Sequence, residues 1–187
     1  MENRRLHVLN GLRLNKESVK EEGNLVHIEG YACHFGIANG HGEIVSEPSF
    51  ASFFKELEEG GQMPSFTFNH NSNYLIGGWD SIVSDDKGLY VKGHINTDVA
   101  FVRDNLLPLI KGGDLNCLST EGYVGGLKHN EDGTYNASEF VMTAISLVAL
   151  PADFNAKTTI SENALELKRK KKAENKAKVR RIINNLI

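Results

Sequence analysis

The chain has 187 residues, 40% of them hydrophobic and 24% charged, which suits one domain with a sizeable core. No apolar run nears the roughly 20 residues that span a bilayer, and Met1 to Arg5 leads into no apolar stretch, so neither a membrane span nor a signal peptide is expected. The net charge of −3 conceals a split: residues 168–187 hold nine Lys or Arg and one acid, Glu174, leaving twelve bases and 23 acids in residues 1–167.

An acidic body with a basic tail suggests that the tail has a job of its own. Eighteen glycines against four prolines point to turns and strand ends rather than a helical bundle. Cys33 and Cys117 lie far apart and belong to no CxxC pair, so two free thiols are expected.

In chain order, residues 24–32 alternate loosely and read as a strand. A glycine-rich loop, 36–42, precedes a short amphipathic helix that opens at Pro48 and Ser49 and runs to about Glu59. Phe50, Phe53, Phe54 and Leu57 mark its apolar face. Residues 65–70 alternate cleanly, which predicts a strand with Phe66, Phe68 and His70 on one side. Two more strands are expected near 75–83 and 88–96, joined by the turn Asp85-Asp86-Lys87-Gly88.

Asn96-Thr97-Asp98 offers cap chemistry for a helix from about 98 to 111, which Pro108 bends or ends early. A strand over 115–124 puts Leu115, Cys117 and Ser119 on one face. A polar hairpin then leads to the most hydrophobic strand, Phe140 to Leu150. Beyond Ser161 the pattern turns helical and basic. With no regular βαβ rhythm, the expected class is α+β: a mostly antiparallel β-barrel or sandwich flanked by helices. The expected parts are an N-terminal arm (1–23), a domain (24–160) and a basic helical tail (161–187).

Serine hydrolysis needs a hydroxyl near a base and a preorganised oxyanion site. His70 and Ser119 are candidates because each ends an apolar face of an expected strand beside small or polar neighbours. Spacing alone does not establish the pair. His34 and His41 flank the glycine loop, but no HxxxH or HExxH spacing exists, so neither a metal nor another cofactor is expected. Trp79 reads as core or as a wall of a substrate groove.

Six motifs in order add what spacing lacks. They are Gly30-Tyr31-Ala32 with Phe35-Gly36; Glu47-Pro48-Ser49-Phe50; Phe68-Asn69-His70 with Ile76-Gly77-Gly78; and Asp86 to Gly93. Leu118-Ser119-Thr120-Glu121-Gly122-Tyr123 and Ile145 to Ala152 complete the series. From about 26 to 158 the chain thus resembles the prohead (capsid maturation) serine proteases of tailed bacteriophages, a family related in fold to the herpesvirus assembly protease. The resemblance implies Ser119 as nucleophile and His70 as general base, and a herpesvirus-protease-like fold.

Two departures stand out. The family's closing strand usually has an acid two positions before the Ser of its Ser-Leu-Val run, where this chain has Ala144. An acid there would orient the imidazole. The site is then a Ser–His dyad, or a triad completed by Ser146, by Glu121 if the pleat runs unbroken from Ser119, or by Glu139. The Ser119-Thr120-Glu121-Gly122 run is also one residue longer than the usual spacing, which predicts a bulge after the nucleophile.

The resemblance implies as substrates the scaffolding region of the major capsid protein, any separate scaffold, and the chain itself. It implies work in the host cytoplasm, inside the assembling procapsid. A homodimer is expected only by analogy with the herpesvirus relatives. A second reading is a non-enzymatic assembly protein that keeps the protease fold. A third, nucleic-acid binding by the tail, is the weakest, because a charge run is more often simply solvated.

Overall fold

The computed structural model describes residues 6–9 and 20–149. The basic tail, 161–187, and the end of the expected domain lie outside the described residues. Among the described residues nine strands and two short α-helices follow in order: β1 (Leu6–Leu9), β2 (Lys20–Glu22), β3 (Leu25–His34), β4 (Glu43–Ile44), α1 (Ala51–Glu58), β5 (Ser65–Phe68) and β6 (Asn71–Ser84). Then come β7 (Gly88–Asn96), α2 (Leu107–Gly112), β8 (Cys117–His129) and β9 (Tyr135–Val148).

All nine strands belong to one sheet, in the order β1-β8-β9-β5-β6-β7-β3-β2, with β4 also pairing to β9. Among the described strands only β4–β9 and β5–β9 are parallel. The mostly antiparallel character expected from the sequence is therefore present, although the described residues hold few helices. The segment expected as an arm, 1–23, supplies the two edge strands. β1 pairs Leu9 with Thr120 and Val8 with Glu121, so it borders the strand that carries Ser119.

The core explains why these segments are strands. In β7, Leu89, Val91 and Ile95 are buried while Lys92 is exposed, the period-two pattern of a sheet with one wet face. Residues from β3, β6, β7, β8 and β9 meet in a single apolar cluster. α1 closes one side: Phe53 is buried and Phe54 and Leu57 are partly so, and Phe50 in the preceding 3₁₀ turn (Glu47–Phe50) packs on Phe140, ring centres 5.3 Å apart. Trp79 lies in the core with its ring 4.1 Å from that of Phe66, so the groove-wall reading does not apply.

Pro108 neither breaks nor ends its helix. The turn before it, Val102–Leu106, widens to π geometry, with the Leu107 N–H donating to Val102 O. Proline has no N–H to give the carbonyl four residues back, and its ring crowds that carbonyl. Moving the bonds one residue wider relieves both problems and lets α2 continue to Gly112. Gly113, at φ 79°, then ends it in the left-handed conformation that glycine adopts without cost.

Candidate active site

Three neighbouring strands bring the polar residues together. β8 and β9 run antiparallel with Ser119 opposite Ser146, and β5 runs parallel to β9 with Thr67 opposite Ser146. Residues directly opposite point to one face, so Thr67, Ser146 and Ser119 form a row across the sheet. Glu121 stands two residues from Ser119 on the same face, and its partner across the ladder is Ala144. The register slips only after Glu121, between it and Gly122, where Thr143 of β9 is the extra residue. The bulge expected on β8 just after Ser119 is therefore not there: the extra residue lies on β9, opposite the step from Glu121 to Gly122, and the pleat from Ser119 to Glu121 is intact.

His70 arrives differently from the expectation. β5 stops at Phe68, which pairs with Asn71 of β6, so Asn69 and His70 are the two residues of a tight turn. Both have positive φ, 49° and 58°. That is the signature of the mirror-image turn whose twist suits a hairpin, and asparagine tolerates it better than most residues. His70 is therefore a turn residue and does not continue the Phe66–Phe68 face. The turn is tied to β9 by the Asn69 N–H donating to Leu147 O at 2.9 Å and the Ala149 N–H donating to Asn69 Oδ1 at 3.1 Å.

From the turn, His70 Nδ1 approaches Glu121 Oε1 to 2.9 Å. The approach is close but falls outside aligned hydrogen-bond geometry at Nδ1. Ser146 Oγ donates to the same Oε1 at 2.7 Å, and Thr67 Oγ1 lies 2.5 Å from Ser146 Oγ. Burial pushes the Glu121 carboxyl up, but the contacts from His70 and Ser146 outweigh it, so the group ionises below its usual value. Glu121 is thereby kept an anion at neutral pH, beside the imidazole of His70.

Of the residues singled out in the sequence, the structure joins His70, Glu121 and Ser146 by contact and sets Ser119 in the same row. Glu139 lies opposite Gly125, far along the strand, with Ser52 Oγ donating to it at 3.5 Å. Thr67 was missed; its only signal was its alternation with Phe66 and Phe68. Ser119 is completely buried, and the His70 side chain is about a quarter exposed. The site opens toward solvent on the His70 side. Among the described residues no group of three His, Cys, Asp or Glu side chains is arranged to hold a metal.

A family model described as caudovirus prohead serine protease matches residues 13–171. The chain belongs to that family. The prohead protease of Enterobacteria phage HK97 is 35% identical over 68 residues, which make up 36% of this chain and 29% of that protein. The aligned stretch thus spans less than a third of that relative's length. In solved structures, the capsid assembly protease of bacteriophage T4 shares the fold, with a TM-score of 0.62 at 14% identity, over 80% of this chain and all of the other. Prohead-protease membership agrees with the six motifs read in the sequence. Glu121, two residues beyond Ser119 on β8, sets a carboxylate beside His70, while position 144 across the ladder holds alanine.

Proposed function

We propose that the chain is a capsid-maturation serine endopeptidase in which Ser119, His70 and Glu121 form an atypical triad. The observation that carries this is the Glu121–His70 contact of 2.9 Å, with Glu121 on the strand and face of Ser119. Family membership supports the reaction class. With Nδ1 facing Glu121, Nε2 is the nitrogen left for base work. Nε2 takes the Ser119 proton as Oγ attacks the peptide carbonyl carbon. The imidazolium gives that proton to the departing amine as the C–N bond breaks. Water, deprotonated by the same nitrogen, then releases the acyl group and restores Ser119. Glu121 stabilises the imidazolium throughout without being protonated itself, the part played by the acid of serine triads.

The proposed substrates are the scaffolding region of the major capsid protein, any separate scaffold, and the chain's own termini, cut inside the assembling procapsid in the host cytoplasm. A fold of the herpesvirus-protease kind and a homodimer belong to the same proposal, the dimer by analogy alone. The complete burial of Ser119 suits an enzyme silent until assembly, because a peptide carbonyl reaches Oγ only after covering groups move aside. The same burial favours a second reading, an inactive assembly protein with the protease fold.

Co-expression with the cognate major capsid protein, as wild type and as Ser119→Ala, followed by intact mass, separates the two. Capsid protein clipped by wild type alone is the expected result. Uncut capsid protein in both, with shells still forming, would leave the assembly reading.

A further inference from the structure

Four buried or half-buried side chains on three strands and one turn form an unbroken polar chain: Thr67, Ser146, Glu121 and His70. The order of protons along it can be deduced. An ionised carboxylate only accepts, so the Ser146 proton goes to Glu121 Oε1. A hydroxyl has one proton to give. Between Thr67 Oγ1 and Ser146 Oγ the donor is therefore Thr67, although the 2.5 Å separation alone would allow either. That distance is at the short end for two hydroxyls, as expected where an anion polarises the chain in a buried setting.

We propose that Thr67 is a positioning residue of this site: by donating to Ser146 it fixes the Ser146 proton on Glu121, and so holds the Glu121 carboxylate against His70. The reaction it would serve is the one proposed above, but its action on His70 does not depend on that reaction.

Two features favour this over a merely satisfied core threonine. Thr67 is β-branched and pinned in parallel register beside Ser146, so its hydroxyl has little freedom to turn away. Its neighbours Phe66 and Phe68 alternate to the opposite face, where Phe66 joins the core. A valine would fill the Thr67 position equally well. The hydroxyl contributes its proton to the chain, while the side chain's volume packs as valine would.

The test uses the full chain carrying Ser119→Ala, which prevents self-cleavage, with histidine labelled by nitrogen-15. The probe is the His70 Nδ1–H proton resonance, sensitive to the acceptor it faces. Thr67→Val should move it upfield or broaden it beyond detection, and Thr67→Ser should keep it. In the Ser119-containing chain, Thr67→Val should lower kcat about tenfold with KM unchanged, and Thr67→Ser should restore it to within about threefold. In a Ser146→Ala background, Thr67→Val should add nothing.

An unchanged resonance in Thr67→Val would overturn the proposal, as would equal loss in Val and Ser variants. If Thr67→Val does not fold, Ser146→Ala alone reads the same chain, and an unchanged resonance there also overturns it. A resonance that responds to Thr67 in a chain that cuts nothing would sink the protease reading and leave the positioning role standing.

Discussion

Glu121 and Ala144 face each other across the β8–β9 ladder. Position 144 on β9, where the resemblance to the family led to an acid being expected, holds alanine, and a carboxylate stands on β8, one strand over and two residues beyond Ser119. From that strand the Glu121 side chain reaches the His70 imidazole. Glu121→Gln keeps the shape and removes the charge. It should lower kcat by about 10²- to 10⁴-fold, the range over which loss of a triad acid or of base catalysis acts. Glu121→Ala combined with Ala144→Asp should recover part of that loss, measured by cleavage of capsid protein. Full activity in Glu121→Gln would identify a dyad.

The lowered Glu121 ionisation makes a claim about stability and pH. A carboxyl whose folded pKa is depressed contributes stability that is fully present above its unfolded value, about 4.3. That contribution is lost as pH falls through the lower folded value. Thermal unfolding of Ser119→Ala between pH 7 and 2.5 should therefore drop more steeply below about pH 4.3 than that of Ser119→Ala with Glu121→Gln. Parallel curves for the two proteins would contradict the claim.

Asn69 holds the histidine's turn. It adopts φ 49° and its side chain accepts from the Ala149 N–H. Asn69→Ala loses that hydrogen bond and pays for a left-handed backbone, together about 1–2 kcal/mol. The expected outcome is a lower midpoint in urea with an unchanged m-value. Activity should fall further than the unfolded fraction explains, because His70 is displaced. Asn69→Gly, which keeps the backbone freedom, should be milder.

Most strands were legible because their apolar residues alternate: β7 begins and ends at the residues its pattern indicated, Gly88 and Asn96. The histidine's setting was not. Alternation through Ser65–His70 continues past the true strand end, and nothing in period two separates a strand residue from a turn residue that happens to keep the rhythm. Asparagine at 69 was the available turn signal. Glu121 stood among the alternatives for the third site member, but choosing it required knowing that the bulge falls after it. That depends on pairing with a strand 25 residues away. Thr67 left almost no trace, since its role comes from a neighbour 79 residues along the chain.

Cys33 and Cys117 are both buried. Burial pushes the Cys33 thiol up to about 12, although a backbone contact from Leu89 opposes it. Almost no thiolate exists there at neutral pH, and the thiolate is the reactive form. Native protein should therefore resist iodoacetamide at Cys33 over hours at pH 8, and label fully in guanidinium chloride. Rapid labelling of Cys33 in native protein, located by peptide mass, would show that β3 opens readily.

Gly122 makes the last case, because it sits at the bulge that follows Glu121. A Cβ built there would run into the Val141 carbonyl oxygen and come within 2.8 Å of the Phe140 ring. Neither neighbour yields easily: Phe140 is completely buried in the core, and the Val141 carbonyl belongs to the backbone of β9. Gly122→Ala must push β8 away from β9 at the residue next to Glu121. Overpacking of this kind costs about 1–3 kcal/mol. The displacement should also lengthen the Glu121–His70 contact, so kcat should fall with KM little changed even at temperatures where the variant is fully folded. Gly126→Ala, four residues farther along the same strand, meets the Ser138 side chain instead and has φ 60°. It should destabilise comparably yet leave kcat of the folded fraction intact. Equal kcat losses in both variants would mean that the bulge has no special hold on Glu121.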